Sequence, residues 1–156
     1  MKGDDDLLEA LNDVLTAELT AVNQYFLDAK ILDNWGYPRL AAHFREESIG
    51  EMKDADTLIE RILYLEGHPN LQRLGNIQTG ETPTEQLTLA LALEREAIGR
   101  LNRAIALSLE RADGGTREVF EEILEGEEEH ADWLETQLSL IAQIGDAHYL
   151  AQHVRD

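Results

Sequence analysis

The chain has 156 residues, 43 % of them apolar, and a formal net charge of −19. That length holds about one domain with a real core, and an acidic excess of this size argues against nucleic acid or an anionic membrane as partner while suiting cations. Cys is absent, which removes disulfides, thiolate metal sites and iron–sulfur clusters and fits a reducing compartment.

Leu, Ala and Glu dominate while Gly and Pro are modest, a composition that favours an all-α fold over a sheet protein. The start, Met1-Lys2-Gly3-Asp4-Asp5-Asp6, lacks the apolar run of a signal peptide. No stretch of about 18 apolar residues is present to cross a bilayer. The expectation is a cytoplasmic protein with no membrane partner, a single domain over residues 1–156.

Five helices are expected, over about 5–34, 39–65, 83–111, 116–143 and 146–154. Asp4, Asp5 and Asp6 suit the positive end of the first helix dipole. From there Leu8, Leu11, Leu15, Glu18, Val22, Tyr25 and Ala29 recur at helical steps, forming one stripe that ends near Asn34-Trp35-Gly36. Glu18 lies inside that apolar stripe, where an unpaired carboxylate is costly. An Arg or Lys across the bundle is the ordinary explanation, and a metal the sharper one.

Pro38 opens the second helix, whose stripe runs Leu40, Phe44, Glu47, Glu51, Asp54, Ala55, Leu58, Ile62 and Leu65. Glu51 and Asp54 are three apart and share a face; Met52 is turned by about 100° from Glu51 and addresses a different neighbour. From Glu66 to Pro83 the chain is broken by Gly and Pro and lacks periodicity, as a long crossover between parallel helices of a bundle requires. Thr82-Pro83 then caps a third helix with Leu87, Leu91, Glu94, Ile98 and Leu101 in its stripe, so a Glu again stands among apolar residues. After the turn Asp113-Gly114-Gly115-Thr116, the fourth helix carries Phe120, Leu124, Glu127, His130, Leu134, Leu138 and Ile141. Gly145 stops it, and the apolar content of Ala147 to Val154 hints at a short fifth helix packing on another subunit.

The two halves repeat. Gly50-Glu51-Met52-Lys53-Asp54-Ala55 is answered by Gly126-Glu127-Glu128-Glu129-His130-Ala131 at an offset of 76 residues, and the same offset relates Glu18 to Glu94. Each half therefore has one Glu, a 33-residue gap, and Glu-x-x-(Asp or His). A lone Glu-x-x-His on an acidic helix is usually a solvated pair. Four helices that each carry a candidate ligand inside the apolar stripe, with equal gaps, point instead to the di-iron carboxylate pattern of four-helix bundles. Oxygen donors and one imidazole suit iron with a position left open for O2.

At these residues the chain resembles bacterioferritin over its whole length. The resemblance is carried by Met1-Lys2-Gly3-Asp4, Glu18-Leu19-Thr20-Ala21-Val22-Asn23-Gln24-Tyr25-Phe26-Leu27, Glu60-Arg61-Ile62-Leu63-Tyr64-Leu65-Glu66-Gly67 and Leu134-Glu135-Thr136-Gln137-Leu138. It implies a ferritin-like four-helix bundle with a long crossover between the second and third helices and a short fifth helix. It also implies a hollow shell of 24 subunits, with Fe(II) oxidised by O2 or peroxide at an intrasubunit centre of two iron ions and stored as ferric mineral. Glu18, Glu51, Glu94, Glu127 and His130 match the family's catalytic, metal-binding residues. Haem b, one per two subunits, is expected at the dimer interface with Met52 as axial ligand, passing electrons from a ferredoxin-type donor for iron release. Independently, Met1 and Met52 are the only methionines, so Met is not general filler here, and thioether ligation of haem iron is known chemistry.

Position 54, where the family carries its first ligating His, is Asp. An Asp Oδ sits about as far along the side chain as His Nδ1, so Asp54 can reach a metal. Five carboxylates then face two Fe(II), and tighter Fe(III) retention with altered oxidation kinetics is expected rather than loss of metal. Gly50 replaces a commonly acidic position; Glu46 and Glu47 can compensate as inner-surface iron ligands, or form a solvated acidic turn. Tyr25, two turns beyond Glu18, and Trp133, near His130, are candidate one-electron donors, with core packing the plainer role for each. His43, His68, His148 and His153 show no ligand spacing and stay unassigned.

Two other readings compete with the iron-storage ferroxidase. One is a haem-bearing structural subunit of a mixed shell, its centre impaired by Asp54 and its activity supplied by a second bacterioferritin subunit. The other is a di-iron oxygenase or peroxide scavenger, against which the small size and candidate haem Met argue.

Overall fold

The computed structural model describes residues 1–154, with five helices: α1 (Asp5–Asn34), α2 (Pro38–Tyr64), α3 (Pro83–Glu110), α4 (Gly114–Ile144) and α5 (Asp146–Ala151). The fifth is shorter than the sequence pattern suggests: beyond Ala151 the chain leaves the helix. Helices α1 and α2 form one antiparallel pair and α3 and α4 the other, with α1 against α3 and α2 against α4 completing a four-helix bundle.

The helix ends follow from local chemistry. Asp4 caps α1, its carboxylate accepting from the Asp6 and Leu7 amides at 3.0 and 3.1 Å, groups a helix start otherwise leaves unpaired. Between α1 and α2, Gly36 takes φ +94°, a left-handed conformation natural to Gly. The Tyr37 amide then reaches back to the Leu32 carbonyl at 3.0 Å and closes the helix end. Asp113 caps α4 through the Thr116 amide at 3.0 Å while receiving Arg61 of α2 at 2.8 Å. One carboxylate thus terminates a helix and ties the two pairs together.

The crossover between Tyr64 and Pro83 is held by a polar stripe on α1. Asn12, Thr16, Thr20 and Gln24 recur every four residues, one above another on a single helix face. Asn12 receives the Asn70 amide at 2.8 Å, Thr16 the Arg73 guanidinium at 3.0 Å and Thr20 the Gly75 amide at 2.8 Å. Gln24 exchanges two hydrogen bonds of 2.7 Å with the Gln78 backbone. The segment therefore runs parallel to α1 and delivers α3 to the far end of the bundle, parallel to α2. The extended strap lacks internal periodicity because its backbone groups are satisfied by side chains of α1.

The apolar core comes in two blocks. One gathers Tyr25, Leu32, Phe44, Leu87, Leu91, Leu134 and Ile141; the other Leu11, Leu15, Leu58, Ile62, Leu101, Phe120 and Ile123. Each fully buried Leu, Ile or Phe contributes about 1.5–3 kcal/mol. Helix α5 joins the first block through Tyr149, which is buried and donates its hydroxyl to Gln137 at 2.7 Å. Its apolar content is thus used in part within the chain; Val154 stays exposed. Between the blocks, at mid-bundle, lies a layer of carboxylates.

Candidate metal centre

Glu18, Glu51, Glu94 and Glu127, one from each long helix, are all at most 4 % exposed. Each stands in the apolar stripe of its helix, so packing the stripes inward carries the carboxylates inward too. Burial of that kind demands compensation. The arginine ion pairs among the described residues do not supply it: Arg61, Arg73, Arg95, Arg111 and Arg117 pair with Asp113, Asp13, Glu135, Asp4 and Glu121. An Arg or Lys across the bundle, the ordinary explanation for Glu18, is not what the structure contains among those pairs.

The layer divides into two groups. In the first, Glu18, Glu51, Asp54 and Glu127 each place a carboxylate oxygen within 4.8 Å of the other three. Oxygens Oε2 of Glu18, Glu51 and Glu94 are buried without a hydrogen-bond partner. Burial drives the Glu51 and Glu127 carboxyls well above the usual range, reinforced for Glu51 by the Glu94 charge and for Glu127 by hydrogen bonding with Glu94. Asp54, half-buried, is raised to about 7 by burial and by the Glu47 and Glu94 charges. Clustered oxygens whose own charge holds protons on them are what a multivalent cation would relieve.

Glu94 links this group to the second. Burial alone would raise it, but hydrogen bonds with Glu127, His130 and Tyr25 hold it below the usual carboxylate range. The His130 Nδ1 lies 2.9 Å from Glu94 Oε1, and the Tyr25 hydroxyl donates to the same oxygen. Tyr25 is fully buried and its hydroxyl is pushed well above 10 by burial and the Glu94 charge. It is a neutral phenol seated on the buried Glu94 carboxylate.

The second group is His43, Glu47 and His130. His43 Nε2 is 3.0 Å from His130 Nε2, and burial lowers the His43 imidazole to about 3, so it is neutral. Trp133 stacks on His43, with centroids 3.5 Å apart and planes at 13°; its ring is 6.2 Å from that of His130. Trp133, expected beside His130, is therefore chiefly the platform for His43. Glu46 is exposed, and Glu47, partly buried, lies 3.5 Å from His130 Nδ1.

His43 shows no ligand spacing in the sequence and enters the group only through the fold. The repeat that drew attention to the other ligands is silent here, because His43 and Glu47 are answered at the 76-residue offset by Val119 and Ile123. The available signal was local: His43-x-x-x-Glu47-x-x-x-Glu51 places three candidate ligands on one face of α2. His68, His148 and His153 stand outside both groups.

A cleft of about 500 Å³ between α1, the crossover and α3 reaches the first group and is lined by Glu18, Glu51, Glu94, Glu127 and Arg100 among others. Met52 faces away from all of this, 57 % exposed, with Ile49 exposed one turn before it.

A Ferritin-like domain family matches residues 8–144. The bacterioferritin of Mycobacterium bovis is 47 % identical over 154 residues, covering 99 % of this chain and 97 % of the relative. The chain belongs to the bacterioferritins. Relatives of the same description from Mycolicibacterium paratuberculosis and Streptomyces coelicolor are 49 % and 48 % identical, the first across 99 % of this chain and 97 % of the relative, the second across 97 % and 90 %. The all-α architecture, a four-helix bundle with a short fifth helix, is the one expected of a ferritin-like domain.

Proposed function

We propose that this bacterioferritin stores iron and oxidises Fe(II) at a centre made of Glu18, Glu51, Asp54, Glu94, Glu127 and His130. The observation that carries the reading is the convergence of four buried Glu, one per helix, with no Lys or Arg paired to them among the described ion pairs. Iron is the substrate. Two Fe(II) side by side give up one electron each; O2 takes the pair with two protons and leaves as hydrogen peroxide. Peroxide, as the alternative oxidant, takes the pair with two protons and leaves as two waters. The four Glu and Asp54 bring five negative charges against four positive on two Fe(II), and the excess favours Fe(III) once formed. Product retention beside Asp54 is the expected consequence, with slower turnover of that position.

Further parts of the reading rest on family membership. The product is held as ferric mineral in a shell of 24 copies, in the cytoplasm. Among the described residues no helix is long and apolar enough to cross a membrane. Met52 suits a role as haem ligand at a two-fold interface: its side chain is exposed on α2, one turn after the exposed Ile49, where a partner could cover it. Bound haem supplies a one-electron carrier to the stored Fe(III), fed by a ferredoxin-type donor. Met52 would hold the haem iron through its thioether sulfur, and exposed apolar side chains beside it would exclude water.

Asp54 also favours a second reading, a haem-bearing subunit whose own centre is impaired and which shares a shell with an active bacterioferritin chain. Stopped-flow oxidation of Fe(II) by the pure homopolymer separates the two. An initial rate well above the protein-free rate is expected; no acceleration would support the mixed shell.

A further inference from the structure

His43, Glu47 and His130 offer two imidazoles and one carboxylate, each with a ligand atom within 4.8 Å of the other two. We propose that these three residues form a further site for a divalent transition-metal cation, beside the carboxylate group and sharing His130 with it, the His130 Nδ1 side facing Glu94 and the Nε2 side facing His43. Donor chemistry selects the class of ion: two His and one carboxylate with open positions suit Fe(II) and Zn(II), whereas Mg(II) and Ca(II) prefer all-oxygen shells.

The geometry is close to what coordination needs. Ligand atoms at about 2.1 Å from a metal stand about 3.0 Å apart when they are adjacent in an octahedral shell, and the two Nε2 atoms are 3.0 Å apart. Both rings are fixed. His43 lies on the Trp133 indole, and His130 is held by Glu94 at its Nδ1. A carboxylate at one ring nitrogen leaves the other free to donate its lone pair outward, the usual support for a metal-bound His. Glu47 is the adjustable member: its side chain is 30 % exposed and its Oε2 stands 3.5 Å from His130 Nδ1, so it must swing toward the two Nε2 atoms to complete the shell. That exposure also gives the cation a way in, separate from the cleft on the α1–α3 side, whose lining includes neither His43, Glu47 nor His130.

The carboxylate group is assembled from all-oxygen donors, and the second group from nitrogen-rich ones, with His130 at the boundary. The site does not depend on the oxidation of Fe(II) and is tested with a redox-inert ion. Crystals equilibrated with Zn(II) and measured at the zinc edge, together with competition titrations of the whole protein, read occupancy and affinity at each position. The expected result is a zinc peak in contact with His43 and His130. It disappears in His43→Phe, which keeps a ring for Trp133 to stack on, and at least about a tenfold loss of Zn(II) affinity accompanies it; the carboxylate peaks remain. In Glu51→Gln the carboxylate peaks weaken and the His43 peak persists. Absence of a peak beside His43 at saturating Zn(II), or a peak unchanged in His43→Phe, overturns the proposal. Carboxylate positions empty while the His43 position fills would instead count against the di-iron reading and support this one.

Discussion

The two halves of the bundle share one plan and differ in what they add to it. The α3–α4 half brings Glu94, Glu127 and His130 to mid-bundle, with Trp133 stacked on His43. The α1–α2 half brings Glu18, Glu51 and Asp54, and with them Tyr25, His43 and Glu47; its outer face carries Met52. At the 76-residue offset these extras are answered by Leu101, Val119, Ile123 and Glu128. The repeat therefore builds the carboxylate layer, and the asymmetry furnishes the phenol, the second imidazole and the exposed thioether. The shared layer is what the proposed iron centre requires; the differences would set its two positions apart.

Removing a shared member should hurt most. Glu127 stands between Glu51 and Glu94 and hydrogen-bonds with both, so Glu127→Ala is expected to cut the initial rate of Fe(II) oxidation by at least about 100-fold. An unaltered circular dichroism spectrum would show the loss is local. A rate within a few-fold of the parent would break the claim that the halves act as one centre.

The asymmetric member comes next. Asp54→Ala should weaken iron binding at its position by about tenfold. Asp54→His should keep binding, speed product departure, and make the two halves kinetically more alike. Equal oxidation traces for parent, Ala and His would mean that Asp54 is a bystander.

The joint between the halves is smaller in effect. Arg61 bonds Asp113 at 2.8 Å and Thr116 at 3.0 Å, and the answering position in the second half, Gln137, has no such role. Arg61→Ala is expected to cost about 1 kcal/mol, which lowers Tm by roughly 2–4 °C in a chain of this length. Calorimetry of the metal-free protein measures it, and an unchanged Tm would remove the joint from the stability argument.

Asp28 is the mildest case, and it too belongs to one half only, since Ala104 answers it. Burial raises its carboxyl to about 7 against a Gln24 hydrogen bond that lowers it. The folded chain then keeps a proton on Asp28 that the unfolded chain releases near 4, so this residue's contribution to stability falls as pH rises from about 4 to about 7 and stays low above that. Asp28→Asn should flatten that part of the profile and gain stability at pH 8 relative to the parent. Denaturant titrations at pH 5 and 8 suffice, and an identical slope in the variant would contradict the assignment.

Much of the fold was legible in the sequence because helical stripes, caps and breakers are local signals. Pro38, Thr82-Pro83 and Gly145 mark ends that the structure also uses. The strap over α1 was legible only as an absence of periodicity, because its hydrogen bonds go to Asn12, Thr16, Thr20 and Gln24, residues that read as the polar face of an ordinary helix. The carboxylate layer was legible through its repetition. His43 was not, since its meaning depends on Trp133 and His130 arriving from α4, a contact made by the packing of helices far apart in the chain.

Iron-edge anomalous diffraction from crystals exposed anaerobically to Fe(II) tests the di-iron centre most directly. Two adjacent iron peaks are predicted at mid-bundle, one in contact with Asp54 and the other with His130, both within reach of Glu51 and Glu127. An empty position beside Asp54 at saturating iron, or no iron near Glu18, Glu51 and Glu127, would contradict it.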